Sequence, residues 1–171
     1  MAFCQKIESA PESMPAKKIQ EPTLPGHLNQ GAMLNLLGYH LAQASIPTDA
    51  TFKKYVNEPY QLNKLEFSIL MLIQANENLT PKRLANALNI PASNLTILLD
   101  RLEKKTLVTR ARSDEDRRVQ DVSLTNKGLA LTKKLLKLTE QMEENILKHI
   151  TSAEKQMLFE LLRKISHYRK V

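Results

Sequence analysis

The sequence predicts a mainly α chain carrying one small β-hairpin. Glycine is scarce and tryptophan absent, with four and none in 171 residues, which disfavours a loop-rich or turn-rich all-β fold. Leucine and isoleucine recur at spacings of three and four in one segment after another, the period of an amphipathic helix. Only two short stretches, LVTRA and VQDVSLT, break that period with β-branched residues. Hydrophobic residues make up 42% of the chain, enough for one core with helices appended to it.

Residues 1–27 contain Pro11, Pro15, Pro22 and Pro25 among polar residues and are expected to form a mobile or extended tail. In the following segment Leu34, Leu37 and Leu41 mark a first helix, with Pro47 expected beyond its end. In NKLEFSILMLIQA, Asn63 and Glu66 form a capping-box pattern, and Leu65, Ile69 and Leu72 line one face. LTPKRLANALNI offers Thr80 as N-cap and Pro81 at the first helical position of a short helix ending near Leu88. PASNLTILLDRLEKK opens at Pro91 and runs to about Lys104, with Leu95, Leu98, Leu99 and Leu102 as its buried stripe. After the two strands, Thr125 caps a long helix over 126–149 whose stripe is Leu131, Leu135, Leu138, Met142 and Ile146. That stripe reads as a packing face. Thr151 and Glu154 start a last helix carrying Leu158, Leu161, Leu162 and Ile165.

Two short helices joined by a tight turn, then a hairpin, make a winged helix-turn-helix. Lys and Arg number 25 against 18 Asp and Glu, a formal charge of +7. That balance favours a polyanion partner, with nucleic acid ahead of a membrane surface. The single cysteine, Cys4, rules out an intramolecular disulfide framework. Neither a signal peptide nor an apolar run of spanning length is visible, so the chain is expected in the cytoplasm and away from membranes. The four histidines lack metal spacing, and no nucleophile–base set or phosphate-binding glycine loop stands out. Neither a cofactor nor an enzymatic activity is expected.

If the leucines of 92–104 are buried, Ser93, Asn94, Thr96, Ile97 and Arg101 lie on or near the opposite side, behind Pro91. Small hydroxyls and an amide near a helix N-terminus suit entry into a major groove. There Asn pairs with adenine and Arg reaches guanine or phosphate. The hairpin supplies Arg110, Arg112, Arg117 and Arg118. An arginine at such a tip suits the negative potential of a narrow minor groove, and Asp116 would hold it by a charge-assisted bond. Asp114 and Glu115 have no role beyond keeping the loop solvated.

The stretches LTPKRLANALNIPASNLTILLDRLEKKTLVTR, DRR and VSLTNKG resemble the MarR family of bacterial transcription regulators, over roughly residues 30–168. The resemblance implies that Arg118 is the wing-tip arginine and Asp116 its support. It implies a homodimer whose first and last two helices intertwine, so that two winged lobes meet successive major grooves of a pseudo-palindromic operator in double-stranded DNA. It implies a repressor released by a small effector, an aromatic acid or phenol, in a pocket to which Asn35, Tyr39, His40 and Phe67 are assigned. The chain then divides into a tail (1–27), an N-terminal dimerisation segment (28–61), a DNA-binding lobe (62–125) and C-terminal dimerisation helices (126–171). The sequence departs from the family at Thr106, where glycine is usual, and in its long tail. Two other readings keep the same fold: a protein-interaction module using the exposed helix and wing, and a redox-responsive regulator using Cys4.

Overall fold

The computed structural model describes residues 28–77, 79–112 and 120–167. In chain order the elements are a 3-10 turn (Gly31–Asn35), α1 (Leu37–Phe52), a π turn (Lys53–Asn57) and α2 (Glu58–Tyr60). Then come α3 (Lys64–Ala75), α4 (Pro81–Leu88), α5 (Ala92–Lys104), β1 (Val108–Arg112), β2 (Gln120–Leu124), α6 (Asn126–Leu147) and α7 (Ser152–Ser166). The strands pair antiparallel, with Val108 opposite Leu124 and Arg112 opposite Gln120. Leu79 adds a bridge at the hairpin edge, its carbonyl accepting the Val122 N–H at 2.9 Å. This is the winged helix-turn-helix that the sequence predicts.

Side-chain caps start the helices where the sequence places them. Asn63 and Glu66 close a capping box on α3, and Thr151 with Glu154 close another on α7. Thr80 accepts the Arg83 N–H at α4, and Thr125 accepts the Gly128 N–H at α6. Each such cap stabilises its helix by about 1 kcal/mol. The Thr151 backbone N–H, and after it the hydroxyl, hold the Glu154 carboxyl below its ordinary pKa. Asn89 ends α4 in the left-handed conformation at φ 51°, which asparagine tolerates better than most residues.

The core lies under α5. Leu95, Leu98, Leu99 and Leu102 are all buried, together with Ile69, Leu70 and Ile73 of α3, Leu84 of α4, and Leu107, Val108 and Val122 of the hairpin. Burying a leucine fully contributes about 1.5–3 kcal/mol, so this stripe fixes α5 firmly between its neighbours.

Three expectations are corrected. The first helix does not stop before Pro47; α1 runs through it to Phe52. Pro47 has no N–H for the Gln43 carbonyl. Because α1 buries no residue, its carbonyls stay within reach of water, and the Ser45 and Thr48 hydroxyls turn back onto the Ala42 and Ser45 carbonyls. On α3 the buried face is Glu66, Ile69, Leu70 and Ile73, while Leu65 is exposed. Glu66 can face inward because its carboxylate serves the Asn63 N–H and pairs with Lys105 at 3.5 Å. The α6 stripe is not left for another subunit. Leu135 and Met142 are buried, Leu131 and Leu138 pack on the same core, and α6 lies against α1 and α3 of its own chain.

The turn after α5 holds Thr106, where the family that the sequence resembles usually has glycine. Thr106 takes the left-handed conformation, φ 60°. Its N–H bonds the Glu103 carbonyl at 2.7 Å and the Leu107 N–H bonds the Leu102 carbonyl at 3.0 Å, the pattern usually closed by glycine. A β-branched residue there costs about 1–2 kcal/mol. The α6 N-terminus offsets that cost. Lys127 donates to the Lys105 carbonyl at 2.9 Å and the Thr106 hydroxyl at 3.1 Å. The Thr125 hydroxyl donates to the Thr106 carbonyl at 2.7 Å, and the Thr125 N–H to the Leu107 carbonyl at 3.1 Å. Contact is so close that a Cβ on Gly128 would lie 2.0 Å from the Leu107 carbonyl oxygen. The glycine that ends VSLTNKG is thus required by backbone approach. Gly128→Ala should therefore destabilise the fold by about 1–3 kcal/mol; chemical denaturation of the two proteins measures it, and an unchanged midpoint would refute the contact.

Candidate nucleic-acid interface

α5 stands on its leucines and turns the rest of its surface outward. Ser93, Asn94, Thr96, Ile97 and Arg101 are all exposed, as the sequence predicts for them. Pro91 precedes the helix as an exposed N-cap without a side-chain cap bond. The first N–H groups of α5 therefore point to solvent, an arrangement that attracts phosphate. The Thr96 hydroxyl donates to the Ala92 carbonyl at 3.0 Å, so it meets a partner chiefly as an acceptor. Ile97 is 52% exposed, and no other large apolar side chain of α5 is exposed. Arg101 and Lys104 lie at the C-terminal end of the same surface.

Arg110 has a different surrounding from the one expected of a free DNA contact. Successive residues of a strand alternate in direction. Val108 is buried, Thr109 and Ala111 are exposed, and Arg110 follows Val108 toward the helix. Its Nη2 donates to Asp100 Oδ1 at 2.6 Å and to Glu103 Oε2, which lie one turn apart on α5. The bonds from Glu103, then Asp100, raise the guanidinium pKa above its ordinary value. Sequence reading missed this set because Asp100, Glu103 and Arg110 converge only when β1 folds back along α5. Arg112 ends β1 opposite Gln120, with its side chain outside the described residues. Asp114, Glu115, Asp116, Arg117 and Arg118 lie outside the described residues, as does Cys4.

The opposite flank of α5 is tied to α3. Lys105, its C-cap, pairs with Glu66 and donates to the Gln61 carbonyl at 2.5 Å. Lys82, in the first turn of α4, adds an exposed cation that the sequence reading did not single out. Its signal was available: position two of a helix that packs beside α5.

The residues assigned to an effector are not gathered into one cavity. Phe67 is half-buried, stacks edge-on against Phe52 at 5.6 Å, and lines a cavity of about 480 Å³ with Met71, Gln74, Ala75, Leu136 and Thr139. Asn35, Tyr39 and His40 do not line it. Asn35 ends the 3-10 turn, Tyr39 stacks edge-on against His40 at 5.9 Å, and His40 Nε2 lies 2.7 Å from the Leu34 carbonyl. Among the described residues, no group of His, Cys, Asp and Glu is placed to hold a metal ion, and no helix is long and apolar enough to cross a membrane.

Comparison with known proteins agrees with this architecture. The MarR family model matches residues 62–119, from the residue before the α3 cap to the threshold of β2. The transcriptional repressor CouR, solved on a 23-mer DNA duplex, is 32% identical, superposes with a TM-score of 0.73, and is matched over 81% of this chain and 98% of its own. The chain belongs to the MarR family. A cysteine-to-serine variant of MarR from E. coli, complexed with operator DNA, is 26% identical with a TM-score of 0.70, over 81% of this chain and 99% of that one. The regulator SarZ of Staphylococcus aureus is 36% identical over 89 residues. That match takes in 51% of this chain and 60% of SarZ, so it spans less than two thirds of that relative.

Proposed function

We propose that this MarR-family chain is a DNA-binding transcriptional regulator, acting as a homodimeric repressor on a pseudo-palindromic operator. The observation that carries the reading is α5: a helix fixed by four buried leucines, its exposed face polar, its N–H groups open, and a hairpin beside it. The likeness to CouR, a repressor solved on DNA, supports it. In this arrangement Ser93, Asn94, Thr96, Ile97 and Arg101 enter the major groove, behind Pro91. Asn94 offers both a donor and an acceptor to an adenine edge, Ile97 can lie against a thymine methyl, and Arg101 can reach phosphate or guanine. Arg112, Arg117 and Arg118 belong to the wing, with Arg118 in the minor groove and Asp116 as its support.

Residues 28–61 and 126–171 are assigned to dimerisation and 62–125 to the DNA-binding lobe. α1 and α7 bury no residue in the single chain. Leu36, Leu37, Leu41 and Ile46 at one terminus, and Met157, Leu158, Phe159, Leu161, Leu162 and Ile165 at the other, are left 36–60% exposed. So much apolar surface on two terminal helices suits a second copy of the chain. Leu162→Lys should shift the protein to monomer, which sedimentation velocity reads directly. A dimer of undiminished strength would remove α7 from the interface.

The DNA reading is tested by titration. Affinity should fall steeply with salt, the slope of log K against log[salt] counting about 0.9 per phosphate neutralised. Arg118→Ala should weaken binding while leaving the dimer intact. Asn94→Ala should weaken binding to the operator by about 1–3 kcal/mol and leave random DNA nearly unaffected. Equal losses on both duplexes would show that Asn94 reads no base.

The cavity at Phe67 supports a site for a small effector. Its size falls in the range of small-molecule sites, and Phe67, Met71 and Leu136 make it mostly apolar. It lies between α3 of the DNA-binding lobe and α6, so a ligand there can favour one lobe position over another. The aromatic ring of an aromatic acid or phenol suits that lining, with Gln74 and Thr139 as its polar groups. A thermal-shift screen of such compounds should give a hit that releases DNA and is lost in Phe67→Ala. A hit that survives the substitution would place the effector elsewhere.

A further inference from the structure

The Arg110 cluster carries an inference that deepens the DNA reading and rests on it. Asp100 and Glu103 lie on the outward half of α5, with their side chains 48% and 31% exposed. On a helix meant to approach phosphates, two carboxylates are a liability. Arg110 meets both with one terminal nitrogen, and its own side chain is 23% exposed. The cluster is not needed to seat the hairpin. Leu107, Val108 and Val122 are buried at 3–4% exposure and already fix β1 and β2 against the core. Partly exposed ion pairs add little to folding stability. We infer that Arg110 is a masking residue: it acts through Asp100 and Glu103, cancelling part of their repulsion of the DNA backbone, and does not itself touch phosphate.

The geometry separates this role from a direct contact. An arginine that neutralises a phosphate releases a counterion, so losing it makes the salt slope shallower by about one. An arginine that masks carboxylates releases none. Its loss lowers affinity, and removing the carboxylates as well restores it.

The experiment uses the full-length dimer and a labelled random-sequence DNA duplex, titrated by anisotropy at several salt concentrations. Arg110→Ala should weaken binding about tenfold at low salt, with a thermal midpoint close to wild type and no reduction in slope. The triple variant D100N/E103Q/R110A should return to within about threefold of wild-type affinity or exceed it. An Arg110→Ala protein that binds like wild type overturns the inference. So does a triple variant that stays as weak as Arg110→Ala, or a slope shallower by about one in either protein. Should Arg110→Ala not fold, the triple variant, which leaves no unpaired charge, decides by its affinity and slope alone. A wild-type protein that does not bind the duplex at low salt would instead sink the DNA reading and the masking role with it.

Discussion

The approach of α6 to the turn after α5 is the constraint on which the rest of the molecule depends. At that point the chain leaves the exposed helix, starts the hairpin and, after the wing, returns to begin its longest helix. The Leu107 carbonyl receives the Thr125 N–H, the Thr106 carbonyl receives the Thr125 hydroxyl, and Lys127 closes over the Lys105 carbonyl. Gly128 allows the backbones to meet. A left-handed threonine persists at Thr106 because these bonds hold its peptide from both sides. Three elements with different tasks are thereby joined within a few residues. The orientation of α6 is transmitted to the end of α5 by backbone contact, not by a flexible linker.

The same economy appears on the two flanks of α5. One flank is tied to α3 by Lys105, Glu66 and Gln61, the other to β1 by Arg110, Asp100 and Glu103. Between them the outward surface carries small polar groups, one isoleucine and unpaired N–H groups at its start. Charged side chains on this lobe thus divide into those engaged by opposite charges and those, such as Arg101, that remain turned to solvent. Counting basic residues in the sequence cannot make that division, because a cation engaged by two acids offsets their charge and leaves no net positive charge for a polyanion to meet.

The terminal helices follow another logic. α1 and α7 are well-formed helices, yet within one chain neither has a fully buried residue, and Phe52 at the end of α1 is only partly covered by the core. Helices of this length are marginal in water unless an apolar face is packed. On α7 the exposed residues Leu158, Leu161, Leu162 and Ile165 are the ones that the periodicity marks as a stripe. The α6 stripe went the other way. Leu135 and Met142 close on their own core, because α3 and α1 lie within reach once the lobe has formed.

The sequence by itself determined the kind and order of the principal helices and strands, though not the 3-10 turn, the π turn or α2 that flank α1. Caps at Asn63, Thr80, Thr125 and Thr151, leucines at helical spacing and two β-branched runs are local signals, and local hydrogen bonding and burial periodicity decide them. It also determined which side of α5 faces out, since four leucines settle that face. Tertiary structure decided what depends on residues distant in the chain. It ran α1 through Pro47, where the absence of burial leaves carbonyls to water and to neighbouring hydroxyls. It turned Glu66 inward, because Lys105 arrives to pair with it. It brought Arg110 onto Asp100 and Glu103, since only a strand folded back on a helix makes those charges neighbours.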